Sequence, residues 1–426
     1  MRITLRGGRV IDPANGLDAV TDLHIAAGRI AGLGAAPAGY VAERTVTAVG
    51  RIVCPGLIDL CARLREPGAE HKATIASETH AAAANGITTL VMPPDTDPVI
   101  DETAVVESIR RRAQAAGFAR VLVLGALTRG LGGEVLAEMA ALKEAGCVGV
   151  GNAGVPVPNS MVMKRAMEYA ASHGLTVFLT PVDPWLAAGG QAHDGQVAAR
   201  LGLAGIPVAA ETAAVGRELA LVEETGARAH FGRLSSARAV AMIARARDRG
   251  LPVSCDVAAH QLHLTEVDLG RFDADAHVLP PLRTARDRDA LRRGVAAGVI
   301  EAVCSDHQPH EPDAKLVPFG DTEPGLSALD TLLGLMLKLV DEGVLDLPGA
   351  IERVTAGPAR LLGIEAGTLA VGAPADVCVF APEAHRTLDA RTLASRGHNT
   401  PFLGWELRGV VTLTLLDGRP VYQREV

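Results

Sequence analysis

Residues 54–68 read Cys54-Pro55-Gly56-Leu57-Ile58-Asp59-Leu60-Cys61-Ala62-Arg63-Leu64-Arg65-Glu66-Pro67-Gly68. The first half is a short apolar run bounded by Pro and Gly, the form taken by a strand buried on both faces. It runs into Cys61-Ala62-Arg63, not into the Gly-x-Gly-x-x-Gly turn that opens a doubly wound dinucleotide-binding sheet. Working outward, seven further runs of the same kind lie at 87–92, 121–125, 148–150, 175–179, 229–232, 253–256 and 300–304, the first run being 56–60. Ala-rich stretches with helical spacing separate them, at 75–84, 102–116, 134–145, 161–173, 211–225, 237–249 and 286–297, and another at 326–341 follows the last. Parallel strands joined by crossover helices explain the alternation, and eight strands is the number that closes a barrel. The expected fold class is α/β, a (β/α)8 TIM-like barrel over residues 56–369. Its chemistry would sit at the C-terminal ends of the strands.

The flanks have a different texture. Short β-like runs at 2–5, 9–11, 23–25 and 29–33 are punctuated by turn dipeptides such as Asp12-Pro13 and Asn15-Gly16, and similar runs return at 376–380, 410–416 and 419–422. Asp417-Gly418 is placed as a hairpin turn. Residues 1–55 and 370–426 are therefore expected to pair as one small β domain.

Composition narrows the function. The 426 residues carry 41 Lys plus Arg against 49 Asp plus Glu, a net charge of -8 with no block of like charge, which argues against nucleic acid as a partner. With 2 Trp, 3 Tyr and 7 Phe there is little material for base stacking either. No apolar run is long enough to cross a membrane; the best candidate, Leu326 to Val340, is broken by Asp330 and Lys338. Cys54, Cys61, Cys147, Cys255, Cys304 and Cys378 form no C-x-x-C pair, and the opening Met-Arg-Ile-Thr-Leu-Arg lacks a signal-like apolar run. The expectation is a reduced, cytoplasmic chain.

The 54–68 stretch closely resembles the signature of the dihydroorotases within the cyclic amidohydrolases. The resemblance extends through Val91-Met92-Pro93-Pro94-Asp95-Thr96-Asp97-Pro98, the Gly189 to Gly195 segment, Pro280-Pro281-Leu282-Arg283, Cys304-Ser305-Asp306-His307-Gln308-Pro309-His310 and the Lys315 to Gly320 loop. In that family the strand-one end carries a His-x-His zinc pair; here Cys61 and Arg63 stand in those places. The bridging carboxylate falls on Asn152, and the later histidines fall on Thr180 and Arg233. Of the ligand set the resemblance implies, Asp306 alone remains.

Zinc takes about four N, S or O donors, and a guanidinium has no lone pair to give. Two arginines at the mouth would also repel a dication. The reading is thus a degenerate metal site at Cys61, Arg63, Asn152, Thr180, Arg233 and Asp306, with no metal, no cofactor and no catalytic residue. Arg65, at the family's substrate-carboxylate arginine, together with Asp95, His307 and His310, is carried as a set that could still bind a ligand, although Asp95 and Leu279 replace polar family residues. The resemblance is greatest to non-catalytic dihydroorotase-like chains that serve as scaffold for aspartate carbamoyltransferase in pyrimidine biosynthesis. It implies a carbamoyltransferase catalytic chain as partner and a homodimer within a hetero-oligomer. The alternative is a cyclic amidohydrolase with an atypical or mononuclear metal site using Asp306, His307 or His310, a relocation that His260-x-x-His263 would also serve. Asp306, left without its metal, should pair with Arg63 or Arg233, because a buried carboxylate needs a cation or donors.

Overall fold

A computed structural model describes residues 1–424. Eight strands lie side by side in sequence order: Leu57–Asp59, Ile87–Met92, Arg120–Ala126, Gly149–Gly151, Val177–Leu179, Ala229–Phe231, Val253–Ala258 and Ala302–Cys304. Every pairing is parallel, and the second strand is buried along its whole length, as the apolar runs require.

The ring closes between the first and eighth strands in two ways. At the C-terminal end Arg63 N donates to His307 O at 2.9 Å and His307 N donates to Cys61 O at 3.2 Å. At the other end the chain at Arg353-Val354 is inserted: Ile58 N donates to Val354 O at 2.8 Å and Val303 N to Arg353 O at 2.9 Å. The expected (β/α)8 barrel is the fold found.

Most helices fall where their spacing places them, for example Ile75–Ala84, whose Thr74 closes a capping box with Ser77. Two start late. The third begins at Met139, because residues 135–137 are drawn into backbone pairing with Leu127 and Arg129. The one expected from 326 begins at Leu332, because Leu326 and Ala328 bond to Gln308 and His307.

The remaining strands make a second sheet in the order Arg419–Gln423, Glu406–Leu416, Val377–Thr387, Ile52–Pro55, Arg2–Asp12, Leu17–Ala26 and Arg29–Leu33, with Arg44–Thr47 pairing Arg2–Asp12. Ile3, Leu5, Val10, Leu23, Val377 and Leu415 are among the residues of its own buried core. Ile52–Pro55 runs through Gly56 straight into the first barrel strand. A Cβ at Gly56 would lie 2.2 Å from Thr88 Oγ1, so the glycine permits this close passage.

Candidate active site at the barrel mouth

The site is built from residues just beyond strand ends. Asp306 and Arg233 follow the eighth and sixth strands in left-handed backbone, φ +50° and +57°, a costly conformation for residues other than glycine. Arg233 is held there by its own N–H, which donates to Asp256 Oδ1 at 2.5 Å, while His230 Nε2 engages the other Asp256 oxygen at 2.9 Å. Both side chains are thereby aimed across the mouth.

They meet. Arg233 Nη1 donates to Asp306 Oδ1 at 2.9 Å, and Arg63 Nη1 lies 3.4 Å from the same oxygen. Gln308 Nε2, at 3.4 Å, and Cys61 Sγ, at 3.5 Å, complete its surroundings. Arg63 is bound on its other edge to Asp95 Oδ2 at 2.6 Å, and Arg233 Nη2 donates to Thr180 Oγ1 at 2.5 Å. The expected pairing of Asp306 with the arginines is present.

Burial alone would raise the Asp306 carboxyl. The guanidiniums of Arg233 and Arg63 outweigh that and hold it below the usual carboxylate range. Burial opposes charge on Arg233 too, yet Asp306 more than compensates and its guanidinium is pushed up. The Cys61 thiol is raised by burial and stays protonated.

Asn152 lies apart from this cluster. Its Nδ2 donates to Leu131 O at 3.2 Å and to Val155 O at 3.1 Å, and its Oδ1 accepts from Thr128 Oγ1 at 2.9 Å. Two carbonyl oxygens facing Nδ2 suit an amide and would repel a carboxylate.

The histidines correct the sequence reading. His307 is fully buried; Nε2 engages Glu78 Oε2 at 2.9 Å and Nδ1 accepts from Ala328 N at 3.0 Å, so it has nothing left for a ligand or metal. His310 Nδ1 accepts from Lys72 Nζ at 3.3 Å, and Nε2 lies 3.0 Å from Pro324 O and 3.1 Å from Arg65 Nη2. Burial, then the cations Arg65 and Lys72, push it down to about 3, and it is neutral. His263 is tied to Leu335 O at 3.0 Å, whereas His260 faces Asp306 but is driven down to about 4 by burial. No relocated His pair forms.

Arg65 and Asp95 border a second recess of about 150 Å³, with Arg63 in its wall as well. Arg65 Nε donates to Pro309 O at 3.0 Å, and Asp95 is spent on Arg63. Arg65 Nη2 lies 3.1 Å from His310 Nε2, so these two meet, while Asp95 turns to Arg63 and His307 to Glu78.

These residues do not fit a zinc centre. Arginines stand where donors are needed, Asp306 is already neutralised, and among the described residues no three His, Cys, Asp or Glu side chains converge as a metal would require. A cavity of about 420 Å³ nevertheless opens at the mouth, lined by Arg63, Arg233, Thr180 and Gln308 and by two residues the sequence reading left without a role, Arg283 and Glu211. Arg283 was visible in Pro280-Pro281-Leu282-Arg283. Its direction into the cavity was not.

A dihydro-orotase-like family model matches residues 50–239, and an amidohydrolase family model matches 334–422. The chain is 52% identical to a dihydroorotase-like protein of Pseudomonas putida, covering 98% of each, and 51% identical to one of Pseudomonas aeruginosa, covering 99% of this chain and all of that one. A protein named dihydroorotase from Geobacter metallireducens is 42% identical over the full length of both. In three dimensions the chain is similar to an L-hydantoinase (dihydropyrimidinase) from Arthrobacter aurescens, with TM-score 0.89 and 24% identity, covering all of this chain and 96% of that one. Sequence over nearly the whole length, together with the barrel and its terminal β sheet, places the chain in the dihydroorotase-like family of amidohydrolases.

Proposed function

We propose that this chain is a non-catalytic dihydroorotase-like subunit, retained as structural scaffold for an aspartate carbamoyltransferase catalytic chain in pyrimidine biosynthesis, as a homodimer within a hetero-oligomer. The observation that carries the loss of catalysis is the position of the Arg233 guanidinium, 2.9 Å from Asp306, where the family resemblance expects metal. A metal in that place would supply an activated water, lowering its pKa from ~15.7 to ~7. A guanidinium supplies charge but no coordinated water, and Asp306 bound to it is a poor proton acceptor. The partner rests on the resemblance to scaffold-type relatives and on the general separability of fold from chemistry.

Two measurements test the reading. Elemental analysis of the purified chain should find no stoichiometric zinc, and dihydroorotate should not be hydrolysed; tightly held metal with turnover would establish the amidohydrolase reading instead. Mixing the chain with the carbamoyltransferase from the same organism should give a co-eluting complex by size exclusion, and separate elution would overturn the scaffold role.

A further inference from the structure

The mouth cavity has a charge pattern that the loss of catalysis does not explain. Arg63, Arg233 and Arg283 all line it, and each is more than nine-tenths buried. Buried guanidiniums are normally saturated with acceptors. Here two are not. Arg63 spends Nε on Asp95 and Nη1 on Asp306 and Cys61; Arg283 spends Nε on Ser235 Oγ at 3.1 Å and Nη1 on Ile206 O at 2.6 Å and His193 Nδ1 at 3.0 Å. Among the described residues Nη2 of Arg63 and Nη2 of Arg283 have no hydrogen-bond partner, and neither is among the sealed-off unpartnered atoms, so both reach accessible space. The lining carboxylate, Glu211, faces Ser235 and Ser236 and is used there.

The rest of the wall is apolar: Pro156, Pro181, Pro280, Pro281 and Ile206 among others. Unspent cationic donors in an apolar cavity of about 420 Å³ are complementary to one kind of small molecule. We infer that the mouth binds a small oxyanion carried on an apolar body, its charged end on Arg63 and Arg283 and its body against the prolines. This rests on the metal-free reading of the mouth and adds a ligand to it. Arg65 donates to Pro309 O and does not line the mouth; it borders a smaller recess beside Asp95, whose wall Arg63 shares.

The test is calorimetric titration of the full chain with benzoate, phenyl phosphate and the neutral isostere benzamide, in chelator and again with added zinc. Expected is saturable binding of benzoate or phenyl phosphate in chelator, at least tenfold tighter than benzamide. Whichever anion is tighter tells carboxylate from phosphate. Arg283→Gln should weaken binding about tenfold, and Arg245→Gln, on the exposed face of the helix Ala237–Asp248, should leave it unchanged. Because Arg283 also braces Ser235 and Ile206, Ala188→Trp gives a second reading: it fills the cavity without touching a guanidinium and should abolish binding in a folded chain. Equal binding of benzamide, unchanged binding in Arg283→Gln, or no binding of either anion with or without zinc would overturn the inference. Binding that appears only with zinc would instead overturn the metal-free reading.

Discussion

At the scale of single residues, two buried carboxylates show opposite electrostatic outcomes. Asp306 is held low by Arg233 and Arg63, so its ion pairs stabilise the fold at pH values above the ordinary Asp range and are lost only as pH falls below it. Removing it leaves the buried Arg233 without a carboxylate and Arg63 with Asp95 alone. Asp306→Ala should therefore lower unfolding free energy by ~3–5 kcal/mol at pH 7, the usual cost of breaking a buried pair. Chemical denaturation reads this directly, and an unchanged midpoint would show that the arginines find other partners. Glu218 behaves oppositely. Burial pushes it up to about 7, only Arg217 offsets this, and its Oε2 has no partner among the described residues. The unfolded chain releases that proton near pH ~4.3, so stability falls as pH rises from there through 7. Glu218→Gln should thus gain ~2–3 kcal/mol at pH 8 and nothing at pH 4, seen as a melting difference that grows with pH.

At the scale of elements, legibility depended on length and on burial. The eight strands and the long helices could be read because apolar periodicity marks them over many residues. Leu347–Glu352 and Ala356–Leu362 went unread, being six and seven residues long with too few turns to show a period. They matter for closure, since Arg353-Val354 between them enters the gap between the first and eighth strands. Gly357 explains how the second helix comes so close: a Cβ there would lie 2.3 Å from the Glu301 carbonyl oxygen. Gly357→Ala should cost about 1–3 kcal/mol through overpacking, measurable as a lower melting temperature. The site was legible by motif for Cys61, Arg63, Thr180, Arg233 and Asp306, all at strand ends. His307 was misread because a left-handed residue at Asp306 turns the chain, so neighbours in sequence face opposite sides of the wall. Sequence spacing carries no sign of that turn.

Across the whole molecule, the barrel and the terminal sheet share a continuous chain through Gly56, and cross-contacts such as Arg120 with Asp376 at 2.6 Å and Arg386 with Asn85 at 2.8 Å tie them. The two units should melt in one transition; calorimetry resolving two peaks would contradict this. The junction of the first and eighth strands has a further consequence. A ring of parallel strands is weakest where its ladder is interrupted, and that break would ordinarily be where the wall parts first. Here Arg63 and Arg233 reach Asp306 directly above it, from the first, sixth and eighth strand ends, so parting the wall means pulling charges apart in a dry interior. Amide hydrogens of Arg63 and His307, at the break, should accordingly exchange as slowly as those of the central strands in the intact chain, and much faster in Asp306→Asn. The clasp, and not the ladder, keeps the barrel shut.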